Sequence, residues 1–197
     1  MFVVAGITGN TGKIVANALR ATGKTVKAFI RNPERAAELK AEGFEVALGD
    51  LEDSAALAKA LKGATGAYVL VPPFYGENII EHQKRVASSI SKALQQAKVP
   101  RVVLLSSIGA EHPEGTGPIV TCYHLEQACK DIPGVSFLRA AYFMENLLAV
   151  ASVAQEHGVF PHFLPEQVPF PLVATADIGR AASELLLQED APPRVVQ

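Results

Sequence analysis

Three glycines recur at a spacing of three in Gly6-Ile7-Thr8-Gly9-Asn10-Thr11-Gly12-Lys13. The run follows a continuous apolar stretch over residues 2–7. It precedes helically spaced apolar residues, Ile14, Val15, Ala18 and Leu19, that stop at Gly23. A glycine-rich turn between a first strand and a first helix is the setting that holds a dinucleotide's diphosphate. One glycine permits the tight turn, one lets the backbone approach the anion, and one lets helix and strand pack. The free amides and the positive helix end then meet the charge. The spacing is GxxGxxG and not GxGxxG, and the competing reading is a plain strand-to-helix turn.

The end of the second strand decides between the two dinucleotides. There the chain reads Ile30-Arg31-Asn32-Pro33, with no carboxylate to hold a ribose 2′-hydroxyl. Arg31 can pair with a 2′-phosphate and stack on adenine, and Asn32 can add a hydrogen bond, so NADP(H) is expected over NAD(H). The alternative for Arg31 is a solvated charge ahead of a helix. Asp50, in Gly49-Asp50-Leu51 at the end of the third strand, either bonds the adenine amino group or caps the following helix. Phe74 and Tyr75, and Tyr142, Phe143 and Asn146, follow strand ends on the side where doubly wound folds bind ligands, and form a candidate aromatic substrate pocket. Against this, Phe143 and Leu147 are also spaced as helix core. His82 and His112 show no partner.

These residues need a scaffold, and strands and helices alternate from the start of the chain, as they do where a parallel sheet lies between helical layers. Strands are expected over 2–7, 26–30, 45–48, 67–71, 102–106 and 135–138. Helices are expected over 11–22, 33–42, from 53 or 54, and over 77–97, 123–130 and 142–155. After His157 the prolines 161, 165, 169 and 171 interrupt a stretch holding Phe160, Phe163 and Phe170, which reads as loops and short strands of a substrate-side lobe. Thr175 is expected to cap a last helix over 176–187, and Arg194-Val195-Val196-Gln197 reads as a strand that has only begun. The expected fold is thus α/β, a Rossmann-type doubly wound parallel sheet. Residues 1–156 form the nucleotide domain, and 157–197 form a partial C-terminal segment packed on it.

Bulk properties narrow the function classes. The 197 residues are 49% hydrophobic and 19% charged, and no apolar run approaches the roughly 18 residues of a membrane span. With net charge −2 and no isolated Lys/Arg cluster, neither a nucleic acid nor a membrane is expected as a partner. No secretory signal precedes the first strand, so a cytoplasmic location is expected. Cys122 and Cys129, seven apart on one helix, lie about 10 Å from each other and read as free thiols, and no metal site is expected. Homo-oligomerisation is left open.

Gly-Ile-Thr-Gly-Asn-Thr-Gly, Arg-Asn-Pro, Gly-Asp-Leu, Val-Pro-Pro, Leu-Ser-Ser and Leu-Arg-Ala-Ala-Tyr-Phe-Met-Glu-Asn together resemble the NmrA-like branch of the atypical short-chain dehydrogenases, over nearly the whole chain. The resemblance implies that Gly6, Gly9, Gly12, Asn10 and Thr11 hold the diphosphate, Arg31 the 2′-phosphate and Asp50 the adenine, with Thr8, Asn32 and Leu51 in the same cofactor set. It also implies that Val71, Pro72 and Pro73 border the nicotinamide ribose and that Ser106 or Ser107 lies beside the nicotinamide. Family members commonly continue beyond the point where this chain ends to complete the substrate lobe, so part of that lobe is expected to be missing.

The wider family donates a proton through Tyr-x-x-x-Lys, whereas this chain has Tyr123-His124-Leu125-Glu126-Gln127. Gln127 carries no charge with which to acidify Tyr123, so alcohol dehydrogenation by that route is not expected. Tyr123 remains a candidate proton donor, the alternative being ordinary helix surface for Tyr123 and His124. Reduction of a quinone asks less of the protein, because hydride passes to an electron-poor ring and protons can come from water. The expectation is therefore an NADP(H)-binding oxidoreductase acting on a small acceptor such as a quinone. A non-catalytic NADP(H)-sensing regulator of the NmrA type is the alternative.

Overall fold

The computed structural model describes residues 1–161 and 167–197. Phe163 and Pro165 of the expected lobe lie outside the described residues. Nine strands and seven helices follow one another in the order β1 (Phe2–Ala5), α1 (Asn10–Ala21), β2 (Val26–Ile30), α2 (Arg35–Ala41), β3 (Glu45–Leu48), α3 (Ser54–Leu61), β4 (Gly66–Val69), α4 (Ile79–Ala97), β5 (Val102–Ser107), α5 (Val120–Cys129), β6 (Val135–Ala140), β7 (Tyr142–Phe143), α6 (Ala151–His157), β8 (Leu172–Val173), α7 (Thr175–Leu187) and β9 (Val195–Val196), counted among the described residues.

Seven strands form one parallel sheet in the order β3-β2-β1-β4-β5-β6-β9. Alternate residues of a strand face opposite sides, and the apolar runs are continuous because both sides are covered. Val3 and Ala5 of β1 pack with Leu57 of α3, Ile90 of α4 and Leu125 of α5, while Phe2 and Val4 pack with Val15 and Leu19 of α1 and Ala182 and Leu186 of α7. The order reverses at β1, between β2 and β4, where an open sheet of this kind has its ligand crevice.

Two expected elements are different in the structure. Residues 142–155 are not one helix: Tyr142 and Phe143 pair with Leu172 and Val173, Met144–Val150 is a 3-10 segment, and only Ala151–His157 is α-helical. The apolar spacing of Phe143, Leu147 and Val150 suits an α-helix, but the partner that draws Tyr142 and Phe143 into a strand lies about thirty residues away. The second correction concerns Thr175, which is the first residue of α7 and not its cap; Ala174 occupies the cap position and has no side chain to accept a bond.

Helix α7 lies along α1. Gly179 makes that approach close, since a Cβ there would stand 2.5 Å from Cγ2 of Ile14. Beyond α7, Val195 and Val196 pair with Phe137 and Leu138, so the chain's end supplies the seventh strand. The helix and strand after residue 174 therefore belong to the same layered unit that begins at Phe2. Among the described residues, no helix is long and apolar enough to cross a membrane.

Candidate active site

Two cavities open along the C-terminal edge of the sheet. The first, of about 400 Å³, lies over the ends of β1, β2 and β3. Its floor is the glycine turn. Gly6 has φ +92, and its carbonyl accepts the Gly9 amide at 2.9 Å. Gly12 is buried beneath that carbonyl, and a Cβ at Gly12 would lie 2.2 Å from the Gly6 oxygen. Gly9 enters α1 in extended conformation with no capping side chain, which leaves the first-turn amides of the helix without a side-chain acceptor.

Thr8 lines this cavity and Asn10 is exposed at the helix start, but Thr11 points inward. Its hydroxyl accepts a hydrogen bond from the Tyr68 hydroxyl at 2.8 Å within the core, so only its backbone faces the turn. Burial pushes the Tyr68 phenol well above its ordinary pKa.

Arg31 stands at the rim with 84% of its side chain exposed and Nη1 3.8 Å from Oδ2 of Asp50. Asp50 does not cap α3. Its Oδ1 accepts the Glu52 amide at 2.9 Å, and Asp53 caps the helix by accepting from the amides of Ala55 and Ala56 at 3.0 Å. Asn32 turns the chain in the same manner, accepting the Glu34 amide at 2.9 Å. Leu51 and Pro72 also line the cavity, whereas Val71 packs against the core and Pro73 is exposed. Gln83 of α4 holds the loop by donating to the Pro72 carbonyl at 3.1 Å.

Sequence reasoning missed Arg35 and His82, which line the same cavity. Arg35 carries a usable signal, since it is four residues beyond Arg31 at the start of α2. His82 carries none, because its partners come from elsewhere: Glu52, at 3.2 Å from Nδ1, and the ring of Phe74, stacked at 3.8 Å.

The second cavity, of about 510 Å³, lies past the ends of β5 and β6. Tyr142, Phe143, Leu147, Val150 and Phe170 make it apolar, and Ser107 and Asn146 bring polar groups to it. Phe74 and Tyr75 are elsewhere: Phe74 lies on His82 and Tyr75 is 92% exposed. Tyr123 lines neither cavity, and its ring meets His124 edge-on at 5.5 Å.

Ser106 and Ser107 diverge because they are adjacent on a strand. Ser107 lines the cavity. Ser106 is buried and donates to Oε1 of Glu126 at 2.6 Å. Arg139 grips both oxygens of that carboxylate, at 3.0 and 2.7 Å, and reaches Glu111 at 2.9 Å with its remaining nitrogen. This ionic cluster ties β5, α5 and β6 together. Cys122 lies beside it, and burial pushes its thiol up to about 11.

A parallel sheet reversing at β1, with a glycine turn under a cavity at the point of reversal, defines a Rossmann-type nucleotide-binding architecture. The NmrA-like family model matches residues 1–194, and the chain belongs to that family. It is 30% identical over 162 residues to the NAD(P)H azoreductase of Xenophilus azovorans, covering 81% of this chain and 54% of that protein. It is also 30% identical over 166 residues to quinone oxidoreductase 2 of Escherichia coli strain K12, covering 81% of this chain and 55% of that one. The chain spans about half the length of the curated relatives it matches. Among solved structures, the NADPH-dependent quinone oxidoreductase QOR2 from Escherichia coli, complexed with NADPH, superposes with a TM-score of 0.82 at 26% identity, covering 100% of this chain and 68% of that one.

Proposed function

We propose that this chain binds NADP(H) and reduces quinone-like or other conjugated acceptors with it. The observation that carries the proposal is the pairing, on one sheet edge, of a glycine-floored polar cavity with an apolar one. One cavity lies over the ends of β1, β2 and β3, where a dinucleotide would lie, and the other past the ends of β5 and β6, where an electron-poor ring would fit.

The residues present fit the dinucleotide. An uncapped helix start, with a turn that has no room for a Cβ at Gly12, offers amides to a diphosphate. Arg31 and Arg35 at the rim suit a 2′-phosphate, and this carries the preference for NADP(H) over NAD(H). Asp50 and Leu51 border the adenine. Pro72, held by Gln83, lines the nucleotide cavity just after β4. When bound, the reduced nicotinamide supplies hydride.

In the second cavity Tyr142, Phe143 and Phe170 offer aromatic faces to a flat acceptor, and Ser107 and Asn146 orient its oxygen atoms. Tyr123 is not needed in this reading, because water supplies protons to the reduced acceptor. Residues 1–156 carry the nucleotide site, and the segment from 157 contributes the outer wall through Phe170. The test is NADPH oxidation with a panel of benzo- and naphthoquinones, which should exceed the protein-free rate. No excess with any acceptor would refute the reductase reading, and tight nucleotide binding without turnover would support the sensing one.

A further inference from the structure

We propose that Glu145 is the positioning residue of the acceptor cavity: it pins the cavity's wall to helix α7, and the proposal rests on the acceptor reading above. Glu145 lies in the 3-10 segment Met144–Val150, between Phe143 and Asn146, which both line the cavity. Its own side chain is directed to the start of α7. The two carboxylate oxygens accept the Thr175 amide at 2.9 and 3.0 Å, and Oε1 also accepts the Thr175 hydroxyl at 2.7 Å.

Three features make this contact decisive for the wall. The β7–β8 ladder has only two rungs, Tyr142 with Leu172 and Phe143 with Val173, and a pair of strands that short does not hold itself in place. The 3-10 segment is a weak helix with poor internal hydrogen bonds. Finally, Thr175 is buried at 4% exposure, on a helix locked against α1 by the contact of Gly179 with Ile14, so the anchor itself is rigid. A carboxylate suits this place because Ala174, at the cap position, offers the first amides of α7 no side-chain acceptor and the helix end is positive. The Thr175 hydroxyl holds the Glu145 carboxyl below its usual range, as a bonded carboxylate should be. The contact with Ile14 falls at the end of α1 that carries the glycine turn, so Glu145 references the acceptor wall to the same body that holds the nucleotide.

A cap that merely stabilised α7 would lower the melting temperature and leave acceptor kinetics alone. A positioning residue separates the two ligands. In Glu145→Ala the acceptor KM should rise about tenfold or more while the NADPH Kd stays within about twofold. Glu145→Gln, which keeps one accepting oxygen, should recover most of the loss. Thr175→Val removes the hydroxyl and keeps the amide, and it should show the same split in smaller degree; it decides the matter if Glu145→Ala does not fold. An acceptor KM unchanged in these variants, or an equal loss of NADPH and acceptor, would overturn the proposal. If the wild-type protein reduces no acceptor, the reductase reading fails by itself. The positioning role is then read from calorimetric binding of 2-methyl-1,4-naphthoquinone, where equal affinity of wild type and Glu145→Ala would overturn it.

Discussion

Replacing Arg31 by alanine separates nucleotide recognition from stability. The Arg31 side chain is 84% exposed and Asp50, 3.8 Å away, is 44% exposed, so their ion pair contributes no more than about 1 kcal/mol to the fold. Melting should therefore be nearly unchanged. Against a 2′-phosphate the same guanidinium forms charge-assisted hydrogen bonds of about 1.5–3 kcal/mol, which is roughly 10- to 150-fold in Kd. Without Arg31, the Asp50 carboxylate stands at the rim with no guanidinium between it and the phosphate, which adds to the loss for NADPH alone. Arg35 cannot fully substitute, because its Nε is 3.1 Å from Glu38. Titration calorimetry with NADPH and NADH on wild type and Arg31→Ala gives the four constants needed. NADPH should weaken by the factor above and NADH should hardly change. The difference should shrink near 1 M salt, where the screening length is about 3 Å. Equal weakening of both nucleotides would refute the assignment of Arg31, as would a wild type that favours NADH.

Gly12→Ala places a methyl on the Gly6 carbonyl and should cost about 2 kcal/mol or more together with all measurable NADPH binding, whereas Gly9→Ala, whose Cβ meets that oxygen at 3.4 Å, should melt like wild type. Denaturant unfolding of the pair checks this, and equal stability would contradict the close approach. Arg139→Met strands the Glu126 carboxylate, 7% exposed, and should destabilise by about 3–5 kcal/mol; a loss below about 1 kcal/mol would show that the cluster is dispensable. Burial holds the Cys122 thiol up to about 11 and that of Cys129 up to about 12, so at pH 8 less than about 0.1% of either is thiolate. Iodoacetamide should label the native protein slowly, faster as pH rises, and at once in urea; rapid native labelling at pH 8 would contradict that burial.

The parts of the fold that were legible in the sequence are those set within a few residues. The glycine turn, the absence of an acid after Ile30 and the order of strands and helices follow from local spacing. They describe the sheet and the first cavity well. What was not legible depends on pairings far apart in the chain. Ser106 and Ser107 look alike in sequence, yet one is drawn inward by Glu126, twenty residues on, and the other faces a cavity. Thr11 stands in the glycine run and still spends its hydroxyl on Tyr68. Tyr142 and Phe143 carry helical spacing and become a strand because Leu172 and Val173 pair with them. Arg35 was missed for a different reason: its distance from Arg31 could have been read, but its neighbours suggested only a charged helix surface.

The contact of α1 with α7 also bears on how the protein is made. Ala21, which ends α1, and Thr175, which begins α7, are 154 residues apart in the chain. During synthesis the helix that carries the glycine turn emerges early and keeps an apolar flank open until α7 has followed. Growing chains stopped before residue 175 lack both the cover for that flank and the anchor for the acceptor wall. Competence to take up nucleotide should therefore arrive in one step, once α7 has emerged, and chaperone dependence should be greatest just before it.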